Sequence, residues 1–354
     1  MIKFNENRRV IVLTGGGTAG HVMPNVALLS SLEKEFDEIH YIGSKSGIER
    51  EIISVFPNVR YHVIETAKLR RSLSLSNLKT PFKVVKGINQ AKKLLQQIKP
   101  DVVFSKGGFV SYPVVRAAGK LGIKTIIHES DMSMGLANRM SIKWVDVICT
   151  SFEKTAKQLS DKYPRKQVVW TGTPIRSEIF TGTVEVIRGR FGFKASRNLL
   201  VMGGSLGASA INRSVCEVLP MLNDWNVLHV TGRGKRMDLI GENYAQVEFM
   251  DDIWNAIAWA DVVVSRAGSN ALCELLALGK STVFVPLATG RGDQIENAYE
   301  VEKAGAGFVI NESDLNGRIL ADSIEQAYGR KVELGERAMA FVKLDGVEGA
   351  MELV

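Results

Sequence analysis

At 354 residues the chain is long for a single core, so two domains are the default, and 45% hydrophobic with 23% charged residues is the balance of an ordinary globular protein. No run of about 18 apolar residues occurs, which excludes a membrane-spanning helix, and Val10–Leu13 is too short for a signal-peptide core. The formal charge of +7 is unevenly spread: residues 60–99 hold ten Lys and Arg against one acid, Glu65, so one face is shaped for an anionic partner.

In chain order, Arg9 to Leu13 reads as a strand, Thr14-Gly-Gly-Gly-Thr-Ala-Gly-His21 as a glycine loop, and the following residues to about Glu35 as a helix. Strand, glycine loop, helix is the phosphate-cradling arrangement. A dinucleotide site would add an acid at the tip of the second strand, Ile39–Ile42, but Gly43-Ser44-Lys45 follows there, so a nicotinamide cofactor is not expected. His21 beside the loop reads either as a packed or capping histidine or as a general base.

Tyr61 to Glu65 is a third strand, Leu78 to Ile98 a helix, and Asp101 to Phe104 a fourth strand ending in the glycine turn Ser105-Lys-Gly-Gly-Phe-Val-Ser111. Thr125 to Ile127 is a fifth strand, with His128-Glu129-Ser130-Asp131 at its tip. His128 and Glu129 are either an acid/base pair or a loop-orienting residue and a helix cap. Between Lys68 and Lys86, Leu69, Leu73, Leu75 and Phe82 alternate with Arg70, Arg71, Lys79 and Lys83. A solvated amphipathic helix explains part of this, but leucines set among cations suit an anionic membrane surface, at about 1 kcal/mol per basic residue. The aromatic stacking positions that nucleic acid requires are absent.

Val145 to Thr150 and Val168 to Trp170 complete this half, and the rigid crossing Thr171-Gly-Thr-Pro-Ile-Arg176 marks a junction. The expected division is 1–171 and 172–339, with a helix at about 340–354 packing back on the first domain. Arg176 is an anion-contact candidate.

The second half restarts the pattern: strand Asn198 to Met202, loop Gly203-Gly-Ser-Leu-Gly207, and a helix to about Leu222. Val227 to Thr231 and Gln246 to Met250 are strands, and Asp251-Asp252 is expected to cap the next helix. Val262 to Val264 reads as a buried strand breaking at Ser265-Arg-Ala-Gly-Ser-Asn270, then a helix carrying Glu274. Thr282 to Val285 is a further strand, leading to a helix with Gln294 and Asn297 on one face. Amides at a helix start suit a phosphate and a carboxylate suits a ribose diol, so this stretch reads as a nucleotide-sugar site. The polar breaks at strand carboxyl ends are expected to line one cleft between two facing sheets. Cys149, Cys216 and Cys273 stand singly in apolar contexts, which points to reduced thiols and a cytosolic compartment.

Taken together, Gly15–His21, Ser105–Ser111, His128-Glu129, Gly203–Gly207, Ser265–Asn270 with Glu274, and Asp293-Gln-Ile-Glu-Asn297 resemble a family of bacterial GT-B glycosyltransferases. Its members transfer N-acetylglucosamine from UDP-GlcNAc to undecaprenyl-pyrophosphoryl-muramoyl-pentapeptide. The resemblance implies two Rossmann-like parallel-sheet domains, α/β in class, the first binding acceptor and membrane and the second UDP-GlcNAc. Cell-wall synthesis proteins are implied as further partners, at the cytoplasmic face of the cell membrane. Carried over residue by residue, Glu274 would hold the ribose, the backbone at Met250, beside Phe249, would read uracil, and Gln294 and Asn297 would hold the sugar hydroxyls. Ser205, Arg176 and the helix start at Gly268, Ser269 and Asn270 would stabilise the diphosphate. Gly15, Gly16, Gly17, Thr18 and Gly20, with Lys106, Gly107, Gly108 and Glu129, would cradle the acceptor. His21 would be the base for the C4 hydroxyl in an inverting displacement. Asp131 stands where the family often has an amide and is a second candidate base. No Asp-x-Asp or histidine cluster marks a metal, so neither metal nor cofactor is expected. A nucleotide-dependent oxidoreductase, or another UDP-sugar transferase acting on a membrane lipid, is the alternative.

Overall fold

The computed structural model describes residues 8–67, 80–204, 207–289 and 291–354. The chain divides into two compact units, Met1–Arg176 with Asp345–Val354, and Ser177–Leu344.

The first unit runs β1 (Val10–Thr14), a 3-10 turn (Ala19–His21), α1 (Met23–Glu35), β2 (Glu38–Gly43), α2 (Ile48–Ile53), β3 (Val59–Val63), α3 (Thr80–Ile98), β4 (Val102–Ser105), α4 (Ser111–Leu121), β5 (Lys124–Glu129), α5 (Leu136–Ser141), β6 (Val147–Thr150), α6 (Glu153–Lys162) and β7 (Gln167–Trp170). Its sheet has the order β3-β2-β1-β4-β5-β6-β7. The apolar run of β1 is buried on both sides because its side chains alternate between two helical layers. Ile11 and Leu13 join α1 through Leu28 and Leu32, and Val12 joins α3 and α4 through Ile88, Leu95 and Val114. Each such side chain contributes roughly 1.5–3 kcal/mol of burial.

The second unit runs α7 (Val184–Phe191), β8 (Arg197–Met202), α8 (Ser209–Val218), β9 (Trp225–Val230), β10 (Tyr244–Val247), α9 (Ile253–Trp259), β11 (Val262–Ser265), α10 (Ser269–Ala277), β12 (Ser281–Phe284), α11 (Asp293–Lys303), β13 (Phe308–Val309), α12 (Gly317–Gly329) and α13 (Lys331–Phe341). Its sheet order is β10-β9-β8-β11-β12-β13. Leu199, Val201, Val262 and Val264 pack against Ile211 and Val215 of α8 and Leu320 and Ile324 of α12. The last helix, α14 (Gly346–Met351), returns to the first unit. Ala350 joins the α1 layer, and a side chain at Gly346 would collide with the Thr173 carbonyl, so the close approach requires glycine there.

All the strand pairs in the two sheets are parallel. In both, the strand order reverses at the first strand of the unit, between β1 and β4 and between β8 and β11. Open α/β sheets bind ligands beyond the carboxyl ends at such a reversal.

Four local expectations change. β5 extends through Glu129, so His128 and Glu129 belong to the strand, paired with Cys149 and Thr150 of β6. β10 ends at Val247, paired with Val230 at the end of β9; Met250 lies in the following loop. Asp252 stands at the start of α9 but makes no side-chain cap, because Arg190 takes its carboxylate in two hydrogen bonds of 3.1 and 2.7 Å. The two-residue strand β13, paired with Val283 and Phe284, is too short to leave a periodic signal.

Candidate functional site

In the first unit the reversal brings two glycine loops into contact. Lys106 donates its backbone N–H to the Thr14 carbonyl at 3.0 Å. A side chain at Gly108 would strike the Gly16 carbonyl, and one at Gly17 would strike the Phe109 ring. Gly108 and Gly17 also have φ of 81° and 88°, a left-handed backbone that glycine adopts without strain. Thr18 ends the first loop, and His21 closes the 3-10 turn before α1. The His21 Nδ1 lies 2.9 Å from the Thr18 hydroxyl, a contact that fixes the ring's orientation.

Behind this pair the predicted polar residues are engaged with one another. Lys106 is 1% exposed, its ammonium donating to His128 Nδ1 at 2.6 Å and to the Ser130 hydroxyl at 2.8 Å. The Gly172 carbonyl accepts from His128 Nε2 at 2.8 Å, so Nε2 carries the proton and the lone pair of Nδ1 is used by Lys106. Burial, together with the neighbouring ammonium, holds the His128 pKa well below the usual imidazole value. Glu129 accepts from the backbone N–H groups of Ser130, Asp131 and Gly135 and from the Asn138 amide. Burial, with Asp131 nearby, raises its pKa despite those donors. Glu129 ties the 130–135 turn to α5, and His128 ties β5 to the residues after β7. Asp131 is half-buried in that turn.

In the second unit, Gly203 and Gly204 end β8, and Gly207 fits beneath the Thr231 carbonyl with no room for a side chain. Lys235 donates to the Gly207 carbonyl at 3.3 Å. Ser205 lies outside the described residues. Gly268 is the N-cap of α10, so the amides of Ser269 and Asn270 open that helix, and Glu274 is half-buried further along it. The α11 residues converge on this point: Gln294 approaches Gly268 and accepts the Leu287 N–H at 3.0 Å, while Asn297 donates to the Ala267 carbonyl at 3.3 Å. Asn297 is fully buried beneath the start of α10. Met250 is buried, and beside it Phe249 is 46% exposed with the Arg233 guanidinium stacked 4.7 Å from its ring centroid. Arg176, the last residue before the second unit begins, is half-buried.

Of the basic, leucine-bearing segment, Leu69, Arg70, Arg71, Leu73, Leu75 and Lys79 lie outside the described residues. Phe82 is 79% exposed at the start of α3, flanked by exposed Lys83, Val85 and Lys86. Among the described residues no helix is long and apolar enough to cross a membrane, and no group of three or more His, Cys, Asp or Glu could hold a metal ion.

Sequence reasoning missed Glu49. It is fully buried in the first turn of α2 and accepts the backbone N–H of Gly17 at 3.2 Å and of Ser44 at 3.0 Å, together with the Ser44 hydroxyl. The acid not found at the tip of β2 is supplied from α2. The signal was Gly47-Ile48-Glu49: a glycine directly before a helix whose first turn carries a carboxylate.

Comparison with known proteins agrees with this geometry. The model of the glycosyltransferase family 28 N-terminal domain matches residues 11–150, and that of the family 28 C-terminal domain matches residues 198–353. A protein of Lachnoclostridium phytofermentans is 44% identical over 351 residues, covering 97% of this chain and 98% of its own. It is named UDP-N-acetylglucosamine–N-acetylmuramyl-(pentapeptide) pyrophosphoryl-undecaprenol N-acetylglucosamine transferase. A Geobacillus thermodenitrificans protein of the same name is 43% identical over 331 residues, covering 92% of each chain. Among solved structures, Acinetobacter baumannii MurG superposes with a TM-score of 0.77 at 24% identity, covering 98% of this chain and 99% of that one. The calicheamicin glycosyltransferase CalG4 gives 0.72 at 13% identity, covering 98% and 97%. Both share the two-sheet fold.

Proposed function

This chain belongs to glycosyltransferase family 28, and from that premise we propose how its two units divide the work. The reaction is transfer of N-acetylglucosamine from UDP-GlcNAc to undecaprenyl-pyrophosphoryl-N-acetylmuramyl-pentapeptide, the step for which its relatives at 42–44% identity are named. The second unit binds the donor. Gly268, Ser269 and Asn270 offer amides and the positive end of α10 to the diphosphate, and Ser205 adds a donor. Glu274 takes the ribose hydroxyls, and the backbone at Met250 reads uracil beside Phe249. Gln294 takes the GlcNAc hydroxyls, and Asn297 acts on the same sugar through the Ala267–Gly268 turn that it braces.

The first unit, with its returning helix, binds the acceptor on the paired loops 15–20 and 106–108. His21 removes the proton from the C4 hydroxyl as that oxygen attacks the anomeric carbon and UDP departs, giving inversion. General-base catalysis of this kind contributes roughly 10²–10⁴-fold, and oriented amides absorb charge on the leaving diphosphate. Asp131, in a turn whose amides are held by Glu129, is the second candidate for the proton. The exposed Phe82, Lys83, Val85 and Lys86 support docking of the first unit on an anionic membrane, at the cytoplasmic face where the lipid-linked acceptor is presented.

The observation that carries this division is the reversal of strand order in each sheet, with a glycine loop on both sides of it in the first and a helix start carrying Glu274 in the second. A panel of UDP-sugars assayed against one undecaprenyl-pyrophosphate acceptor tests it. UDP-GlcNAc should give the highest kcat/KM, and UDP alone should compete with donor and leave acceptor KM unchanged. Competition of UDP with acceptor would overturn the division.

A further inference from the structure

We propose that Glu49 is the positioning residue of the acceptor site, a reading that rests on the assignment of the first unit's glycine loop to the acceptor. A fully buried carboxylate is costly unless its oxygens are hydrogen-bonded. Those of Glu49 are met by the Gly17 N–H, the Ser44 N–H and the Ser44 hydroxyl. Two chain segments more than twenty residues apart, the loop after β1 and the loop after β2, are thereby fastened to one charged group. The fit is steric as well as electrostatic: a side chain at Gly16 or at Gly47 would overlap the Glu49 carboxylate. A Cβ at either glycine would therefore push the Glu49 carboxylate from the place where it accepts these bonds.

The same loop is held at its other polar atoms. The Tyr41 hydroxyl donates to the Gly15 carbonyl at 2.7 Å, and the Thr14 carbonyl accepts from Lys106 N–H and from the Asn25 amide. With the Gly15 carbonyl and the Gly17 amide both fixed from behind, the peptide planes between them are set before any ligand arrives. Thr18 and His21 follow directly and inherit that orientation. Glu49 also spends the Gly17 amide, so an acceptor phosphate must be met by other donors of the paired loops. Glu49 reaches the acceptor only through Gly17 and the residues after it.

The test is steady-state kinetics of Glu49→Gln, with Ser44→Ala and Gly108→Ala, in the full-length protein with a soluble acceptor analogue and UDP-GlcNAc. The glutamine amide would turn an N–H donor toward groups that are themselves donors, so one bond to the loop is lost. Acceptor KM should rise at least tenfold, with donor KM within twofold of the parent and kcat changed less than acceptor KM. A merely structural role would lower the active fraction, and hence the apparent kcat, with both KM values unchanged; that result overturns the proposal. Ser44→Ala removes one hydrogen bond and no charge, and should raise acceptor KM two- to fivefold. It decides the matter if Glu49→Gln does not fold, since an unchanged acceptor KM in folded Ser44→Ala also overturns the proposal. Gly108→Ala alters the paired loop itself. A raised acceptor KM there with none in Glu49→Gln rejects Glu49 and leaves the loop assignment standing, whereas no change in either rejects the assignment.

Discussion

The two glycine loops, after β1 and after β8, look alike as sequence and differ in what is packed behind them. Behind the first, the Glu49 carboxylate takes a backbone amide; behind the second, the Lys235 ammonium takes a backbone carbonyl. An amide given to an internal acid is one fewer for an anionic ligand, while a carbonyl given to an internal lysine removes a group that would repel one. The glycines permit the turn in both cases, and the charge behind the turn decides what it prefers to hold. By that charge the second loop suits the nucleotide diphosphate proposed for it, and the first suits the proposed mounting of His21.

The sharpest way to break this contrast is at the proposed base, His21. His21→Ala should lower kcat by about 10² or more with little change in donor KM, measured at saturating substrates. If Asp131→Ala shows that loss and His21→Ala does not, the proton goes to the 130–135 turn and the mount has another purpose.

The next effect concerns stability and is expected in both units. In the second, burial lowers the His229 pKa from 6.5 to about 4. The unfolded chain then binds a proton that the folded chain does not, so the stabilising contribution is complete above pH 6.5 and is lost as pH falls from 6.5 toward 4. The span corresponds to on the order of 3 kcal/mol. Urea unfolding at several pH values should show this slope, and His229→Gln should flatten it; an unchanged slope would mean that His229 titrates normally. In the first unit His128, His40 and His62 are shifted in the same direction, so a residual slope should remain in the variant.

Smaller and more selective, Glu274→Ala should raise donor KM about tenfold through lost ribose contacts, the scale of a hydrogen bond to a charged group, and leave acceptor KM alone. Smallest, Lys235→Met should raise donor KM by a few fold, the worth of a single hydrogen bond. If Lys235→Met instead lowers donor KM, the lysine is not what prepares the second loop for an anion.

Much of this was legible in the residues. The apolar runs at Val10, Val102, Leu199 and Val262 announced buried parallel strands, since such strands are covered on both faces. The glycine clusters after them announced tight turns, and the restart of the pattern near residue 198 announced a second unit. Less legible were the partners of buried polar groups. Lys106 bonds His128 and Ser130, Glu129 bonds the 130–135 backbone and Asn138, and Asn297 bonds the Ala267 carbonyl, pairings that no local pattern announces. A difference of two or three residues in where β5 or β10 ends moves side chains between a loop and a sheet, and nothing local to Glu129 or Met250 marks that boundary.

By itself, the sequence determined the fold class, the strand-loop-helix repeats and the family, because hydrophobic period, glycine placement and ordered motifs are properties of short windows. Only the tertiary structure decided which buried polar side chains pair with which. Glu49 shows why: its partners Gly16 and Gly17 lie more than thirty residues earlier in the chain, and a buried charge is settled by whichever donors the fold brings within reach. Such a choice is made in space, among residues that no window of sequence contains together.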